Sequence, residues 1–165
     1  IADKIEAPIS RDIERVRKYW KLIIQIDPSL RDIYGDILLK DEKISVDHFV
    51  PWQYVAHDEL WNLHPTIKLI NSSKSNSLPS WKLYFNSLGK LEYRAYELKN
   101  QNETLAREFQ KIAPYHLNNQ QIRNQLYAEG LDKNSFIERL EHVVKPVYES
   151  AQMSGFREWV YDKSI

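Results

Sequence analysis

The sequence contains no cysteine, so it has no disulfide bridge, no thiol nucleophile and no cysteine-ligated zinc site. It also lacks the run of about 18 apolar residues that a membrane-spanning helix needs, and no signal-peptide pattern opens it. These two absences favour a protein of the reducing cytoplasm without a membrane partner. The formal net charge is zero, so the whole chain is not a polycation that coats nucleic acid indiscriminately.

The sequence does contain enough apolar and aromatic material for a core. Of its 165 residues, 42% are hydrophobic and 12% aromatic, which is too much for a disordered chain and suits a single domain. The chain begins at Ile1 rather than at methionine. We therefore expect a piece of a longer protein, with further domains of that chain or a second copy as partners.

Hydrophobic periodicity divides the domain into three regions. Residues 1–35 show apolar side chains at helical spacing and are predicted to form N-terminal packing helices. Residues 36–80 carry short β-prone runs, among them 44–48 and 66–70, followed by a short helix. Residues 81–165 are predicted to be helical almost throughout, as a layer that supports the middle region or binds a partner. The expected fold class is α+β, with a small β-containing unit inside a mainly α-helical domain.

The most informative stretch lies between Val46 and Lys74. Asp47 and His48 stand side by side at the end of a β-prone run, in the sequence Val-Asp-His-Phe-Val-Pro-Trp. Asn62 follows in Asp-Glu-Leu-Trp-Asn-Leu, and Asn71 opens the sequence Asn-Ser-Ser-Lys. A carboxylate beside a proton acceptor, followed by two amides and a lysine, is the kind of side-chain set that metal-assisted hydrolysis needs.

This order of residues resembles the signature of the HNH endonuclease family, the ββα-metal nucleases. The resemblance covers about a fifth of the chain, from Ile44 to Leu78. In that family the histidine is the general base, and the aspartate and the last motif residue hold the metal. The resemblance therefore implies that His48 is the general base and that Asp47 and Asn71 are metal ligands.

The remaining motif positions have implied roles as well. Asn62 corresponds to the middle motif asparagine, whose amide holds the loop backbone and helps to orient the base. Lys74 matches the trailing lysine and is expected to contact phosphate or to stabilise the start of its helix, which Asn71 or Ser72 is expected to cap. His64 and Lys68 lie close to the motif and are further expected substrate contacts.

The last motif position holds asparagine rather than histidine, a variant that the resemblance associates with Mg²⁺-dependent members. Carboxylate and amide oxygens suit a hard cation, and Mn²⁺ is expected to substitute for Mg²⁺. Zinc-stapled relatives carry cysteine pairs around the motif, whereas Leu69 and Ile70 precede Asn71 here. No structural zinc is expected.

The window from Leu60 to Leu91 is basic, because it contains four lysines and no acidic residue. Its net charge is therefore +4, and the rest of the neutral chain sums to −4. A basic segment beside a candidate metal site suits an approaching phosphate backbone. The alternative is that these lysines form an ordinary solvated surface. They are Lys68, Lys74, Lys82 and Lys90.

Each motif residue also has a plain structural interpretation. An isolated Asp-His pair occurs by chance, Asn62 can cap a turn, and Asn71 can be only an N-cap. The ordered combination favours a metal-dependent endonuclease that hydrolyses DNA in a bacterial or phage restriction, defence or mobile-element system. The alternatives are an HNH-fold module that binds nucleic acid or protein with weak or no cleavage, and an RNase that uses the same site.

Overall fold

The computed structural model describes the backbone of residues 2–55 and 57–164, and the side chains of residues 13–55 and 57–164. The fold is α+β, as predicted, with a small antiparallel sheet set among helices. Within the described ranges, no helix has the length and apolar character that crossing a membrane requires. The elements in chain order are α1 (Ala2–Ile26), β1 (Ile44–His48), α2 (Trp52–Val55), a 3₁₀ turn (Leu60–Asn62), β2 (Leu63–Ile67), α3 (Lys68–Lys74), β3 (Leu78–Pro79), α4 (Trp81–Gln101), α5 (Glu103–His116), α6 (Gln120–Leu126), α7 (Lys133–Met153) and β4 (Glu158–Trp159).

The middle of the chain forms a ββα unit. β1 pairs antiparallel with β2, so that Asp47 lies opposite His64 and His48 lies opposite Leu63. α3 follows β2 without a loop and packs against both strands. The two residues of the Asp-His pair therefore stand at the end of a strand that is covered by a helix.

The helices enclose this unit in one hydrophobic core. α1 places Val16, Trp20 and Ile23 at helical spacing in the interior and packs against α5 and both strands of the ββα unit. α4 packs against α5 and α7, and its first turn is capped by the Ser80 hydroxyl, which accepts a hydrogen bond from the Leu83 N–H. The helical half thus packs around the strands that carry the motif.

The prediction of more than one N-terminal packing helix is wrong, because residues 27–35 form turns and a single bridge from Arg31 to Leu38. Asp32 explains the difference. Its buried carboxylate accepts hydrogen bonds from the backbone N–H groups of Tyr34, Gly35 and Ile37. Peptide groups that bond to this side chain are not available for a helical ladder.

The second strand of the ββα unit comes earlier than the predicted residues 66–70. Pairing runs from His48 opposite Leu63 to Ile44 opposite Ile67, so the chain has passed the end of β1 when it reaches Lys68. At that point it turns directly into α3, with Ile67 at the N-cap position. Asn71 and Ser72 therefore lie inside the helix, and the prediction that one of them caps it is wrong.

Glu92 in α4 is a buried carboxyl group of the helical half. Its Oε2 atom makes no hydrogen bond to the described residues. Burial raises the pKa of Glu92 well above its ordinary value of 4.5. Tyr19 from α1, Tyr127 after α6 and Lys99 from α4 line the same small cavity, and no ion pair joins Lys99 to Glu92 within the described residues. The folded state therefore holds the Glu92 proton more tightly than the unfolded state does.

We expect Glu92→Gln to be more stable than the wild type at neutral pH. A raised folded pKa means that the contribution of Glu92 is complete below 4.5 and is lost as the pH rises towards the folded pKa. The loss is about 1.4 kcal/mol for each pH unit in that interval. Urea unfolding between acidic and neutral pH measures it, with the exposed Glu138→Gln as control. Parallel stability curves for wild type and Glu92→Gln would contradict this expectation.

Candidate active site

The loop that leaves β1 is held in place by Asn62. The Asn62 side chain is fully buried, and its Oδ1 accepts from the Val50 N–H at 2.8 Å while its Nδ2 donates to the Val50 carbonyl at 2.9 Å. Its backbone carbonyl also accepts from the Phe49 N–H at 2.9 Å. These bonds fix the chain directly after His48, which is the contact that the resemblance implied. A contribution of Asn62 to catalysis stays a prediction.

Asp47 lies at the centre of a buried hydrogen-bond network. Its Oδ1 accepts from Lys74 Nζ at 3.1 Å, and its Oδ2 accepts from the Tyr34 hydroxyl at 2.7 Å and lies 3.0 Å from His64 Nε2. Burial alone would raise the pKa of Asp47, but the Lys74 ammonium and the hydrogen bonds from His64 and Tyr34 outweigh it and hold the pKa well below its ordinary value. The carboxylate is therefore an anion inside the protein.

Tyr34 is a member of this network from outside the motif. Burial, and then the nearby Asp47 carboxylate, raise the pKa of the Tyr34 hydroxyl well above its ordinary value, so the group stays a hydrogen-bond donor. The ring of Tyr34 packs edge-on against His64, with 5.4 Å between the ring centroids. Tyr34 belongs to the turn that Asp32 organises, and no sequence signal connected it to the Asp-His pair.

His64 and Lys74 lie in the interior rather than at a substrate-facing surface. Both side chains are buried, and Lys74 donates to the His48 carbonyl at 2.9 Å as well as to Asp47. Lys74 is also the last residue of α3 and not near its start. The expected substrate contact from His64, and the expected phosphate contact or helix-start role of Lys74, do not agree with these positions.

Three of the four lysines in the basic window are exposed, because Lys74 is buried. Lys68, Lys82 and Lys90 are exposed, and Lys68 stands at the start of α3. A substrate contact from Lys68 stays a prediction. The ammonium of Lys74 instead offsets the charge of Asp47 inside the fold.

Asn71 and Asp47 meet at the same interface between α3 and β1. Asn71 Nδ2 donates to the Ser45 hydroxyl at 2.8 Å, and Ser45 shares a face of β1 with Asp47 because residues two apart in a strand point the same way. Lys74, about one helical turn beyond Asn71, bonds to Asp47 itself. Asn71 Oδ1 makes no hydrogen bond to any described residue.

The oxygens at this interface suit a hard cation with few protein ligands. No group of three or more His, Asp or Glu side chains in the described residues is arranged to hold a metal ion. A site made by Asp47 and Asn71 would supply one carboxylate and one amide oxygen, and Mg²⁺ commonly binds through one or two carboxylates and keeps several waters. Asp47 Oδ1 has accepting capacity beyond the bond from Lys74. The donor set fits, and the metal-ligand roles stay predictions.

His48 ends β1 with a ring that is partly exposed, at 18% of its side-chain surface. Its Nε2 lies 2.6 Å from Oδ1 of Asp58, whose side chain is only 4% exposed. Nδ1 of His48 makes no hydrogen bond to the part of the chain that the structure describes. A carboxylate only accepts, so in the neutral ring Nε2 carries the hydrogen and Nδ1 keeps a free lone pair. This arrangement can take a proton from a water molecule.

Two residues next to His48 had no predicted role. Asp58 stands four residues before Asn62 in the quoted motif, and this spacing was its one signal. His116, from α5, makes a short contact from Nδ1 to the Asp58 carbonyl. His116 lies 58 residues after Asp58 in the chain, and no sequence pattern indicated that the two residues are in contact.

The comparisons with known proteins concern the same part of the chain. Residues 29–80 match the family model described as HNH endonuclease. No curated protein and no solved structure gives a significant match. The matched segment begins in the turns around Asp32, contains the ββα unit and ends at Ser80, the N-cap of α4. This family implies a nuclease that acts on nucleic acid. Residues 29–80 therefore carry the sequence pattern of the HNH endonuclease family, over 52 of the 165 residues.

Proposed function

We propose that the chain is a metal-dependent endonuclease that hydrolyses phosphodiester bonds in DNA. The observation that carries the proposal is the environment of His48. One ring nitrogen faces a buried carboxylate, the other is without a described partner, and the ring is partly exposed. The residue before it in β1 is the anionic Asp47. A bacterial or phage restriction, defence or mobile-element system is the proposed setting and has only the resemblance behind it.

In the proposed reaction, Nδ1 of His48 accepts a proton from a water molecule as the water oxygen attacks phosphorus. The bond from phosphorus to the 3′ oxygen breaks, and the 3′ oxygen takes up a proton from solvent. Asn62 keeps the backbone after His48 in position during this step. Asp47 and Asn71 would hold a divalent cation, Mg²⁺ or Mn²⁺. When bound, such a cation neutralises charge on the phosphoryl oxygens and assists the leaving oxygen.

Cleavage of supercoiled plasmid tests the proposal. The protein is incubated with the plasmid in Mg²⁺, in Mn²⁺ and in EDTA. We expect nicked circles with either cation and intact plasmid in EDTA, because one ββα site cuts one strand at a time. A parallel incubation with a structured RNA separates the RNase alternative. Plasmid that stays intact with both cations, or RNA that is cut in its place, would contradict the proposal.

The engagement of Asp47 favours a second candidate function. Both oxygens of this carboxylate already accept hydrogen bonds, and one of the donors is the buried ammonium of Lys74. A fold stabilised in this way does not depend on a cation, so the domain can serve as a binding module with weak or no cleavage. That candidate predicts a gel shift of DNA in EDTA together with uncut plasmid in Mg²⁺ and Mn²⁺.

A further inference from the structure

We propose that Asp58 is the positioning residue of His48, and that its carboxylate fixes both the tautomer and the orientation of the ring. This inference rests on the proposed function, because it names the residue that prepares the base of that reaction. It assigns a role to a residue that acts through another one, without contact to substrate or metal.

The geometry between the two side chains is that of a strong, charge-assisted hydrogen bond. Oδ1 of Asp58 lies 2.6 Å from Nε2 of His48, and the Asp58 side chain is almost fully shielded from water. Neutral imidazole has two tautomers, and a carboxylate can accept only from the one with hydrogen on Nε2. The other tautomer would carry its hydrogen on Nδ1, the atom that must accept a proton from water. Asp58 therefore selects the tautomer that can act as a base.

Asp58 has no structural task of the kind that Asp32 performs. The Asp32 carboxylate accepts from three backbone N–H groups and the Thr66 hydroxyl. The Asp58 carboxylate bonds within the described residues to His48 alone, and its buried Oδ2 has no partner there. Burying a carboxylate costs free energy unless its contacts compensate. Because the bond to His48 is the one described hydrogen bond of the Asp58 carboxylate, we infer that positioning His48 is the role of this buried charge.

The backbone that presents Asp58 is itself fixed from two sides. His116 in α5 contacts the Asp58 carbonyl, and the 3₁₀ turn that follows is closed by a hydrogen bond from Asn62 N–H to the Glu59 carbonyl at 2.9 Å. The same Asn62 holds the loop after His48. The base and its positioning residue are thus mounted on one framework, and α5 contributes to it from the helical half.

Kinetics of plasmid nicking test the proposal through Asp58→Asn, which keeps the shape of the side chain and removes its charge. We expect the rate to fall by about 10- to 100-fold, the loss typical of residues that orient metal-binding histidines through the same kind of hydrogen bond. Glu59→Gln removes the same charge at the next position, where no side-chain hydrogen bond is described, and is expected to keep the wild-type rate. A rate for Asp58→Asn equal to that of Glu59→Gln would overturn the proposal.

The double variant His48→Ala with Asp58→Asn separates positioning from general damage. If Asp58 acts only through His48, the double variant nicks DNA no more slowly than His48→Ala alone. Losses that multiply would show that Asp58 acts on something other than the ring, and would overturn the proposal.

Nitrogen-15 NMR of the histidine rings supplies a readout that does not need cleavage. The His48 signals are assigned by their absence in His48→Ala and measured at the high-pH plateau of their shifts, where the ring is neutral. We expect hydrogen on Nε2 in the wild type and a mixture of tautomers in Asp58→Asn, because an amide can either donate or accept. Hydrogen on Nδ1 in the wild type would overturn the assignment. Failure of the wild type to nick DNA would overturn the proposed function. The tautomer measured by NMR would still show whether Asp58 fixes the hydrogen position and orientation of the His48 ring.

Discussion

Replacing His48 with alanine is expected to lower the rate of plasmid nicking by about 10²- to 10⁴-fold, the usual contribution of a general base. Two of the other described histidines cannot take over in this position. His64 is buried against Asp47, and His116 is buried against the Asp58 carbonyl. Single-turnover nicking in Mg²⁺ with excess protein measures the chemical step apart from product release.

The His48→Ala result needs a companion variant, because the substitution leaves the buried Asp58 carboxylate without its described partner. An unsatisfied buried group costs about 1–3 kcal/mol, more when charged, so part of any loss of activity would come from unfolding. His48→Gln keeps an amide N–H donor and has no basic nitrogen. Both variants are expected to lose nicking activity to a similar extent, and His48→Gln is expected to unfold at a higher denaturant concentration than His48→Ala.

His57→Ala is the matched control, because His57 is exposed and lies on the same stretch of chain. We expect it to nick plasmid at the wild-type rate. A loss of activity in His57→Ala, with wild-type nicking by His48→Gln, would move the base to His57 and contradict the assignment of His48.

The parts of the site that sequence reasoning located are those whose contacts are local in the chain. Asn62 and Val50 are 12 residues apart and joined by a hairpin, so a spacing pattern can carry their pairing. His48 was found in the same way, at the end of a β-prone run. The α+β fold class followed from the change in periodicity between residues 36–80 and the helical regions on either side.

The contacts that sequence reasoning missed depend on tertiary packing. Tyr34 bonds to Asp47 only because Asp32 folds residues 32–37 into turns, and helical periodicity alone suggested a helix there. His116 reaches Asp58 because α5 packs behind the loop. Such contacts join groups that are far apart in the chain, and no short motif encodes them.

The misplaced roles of Asn71 and Lys74 have a common cause in strand register. β2 begins at Leu63 because Asn62 closes the hairpin at that point, and α3 therefore begins at Lys68. This start puts Asn71 on the second turn and Lys74 on the last residue of the helix, both facing β1. Moving the N-cap from Asn71 to Ile67, four residues earlier, thus turns an expected surface lysine into a buried counter-ion.

Replacing Lys74 with methionine is expected to destabilise the protein by about 3–5 kcal/mol, the usual cost of removing one partner from a buried ion pair. The substitution keeps most of the apolar stem and leaves Asp47 as a buried anion without its cation. It also leaves the His48 carbonyl without the ammonium donor. Urea unfolding measures the change, with EDTA present so that no divalent cation stabilises the folded state by binding.

The double variant Lys74→Met with Asp47→Asn tests whether the lost stability comes from the uncompensated charge. An asparagine at position 47 is neutral and can still accept the hydrogen bond from Tyr34. We therefore expect the double variant to be more stable than Lys74→Met alone, since the partners of a buried pair are strongly coupled. Lys68→Met removes an exposed lysine of the same helix and is expected to change stability by less than about 0.5 kcal/mol. A double variant no more stable than Lys74→Met would show that Lys74 acts mainly through the His48 carbonyl and its packed stem, and not as the counter-ion of Asp47.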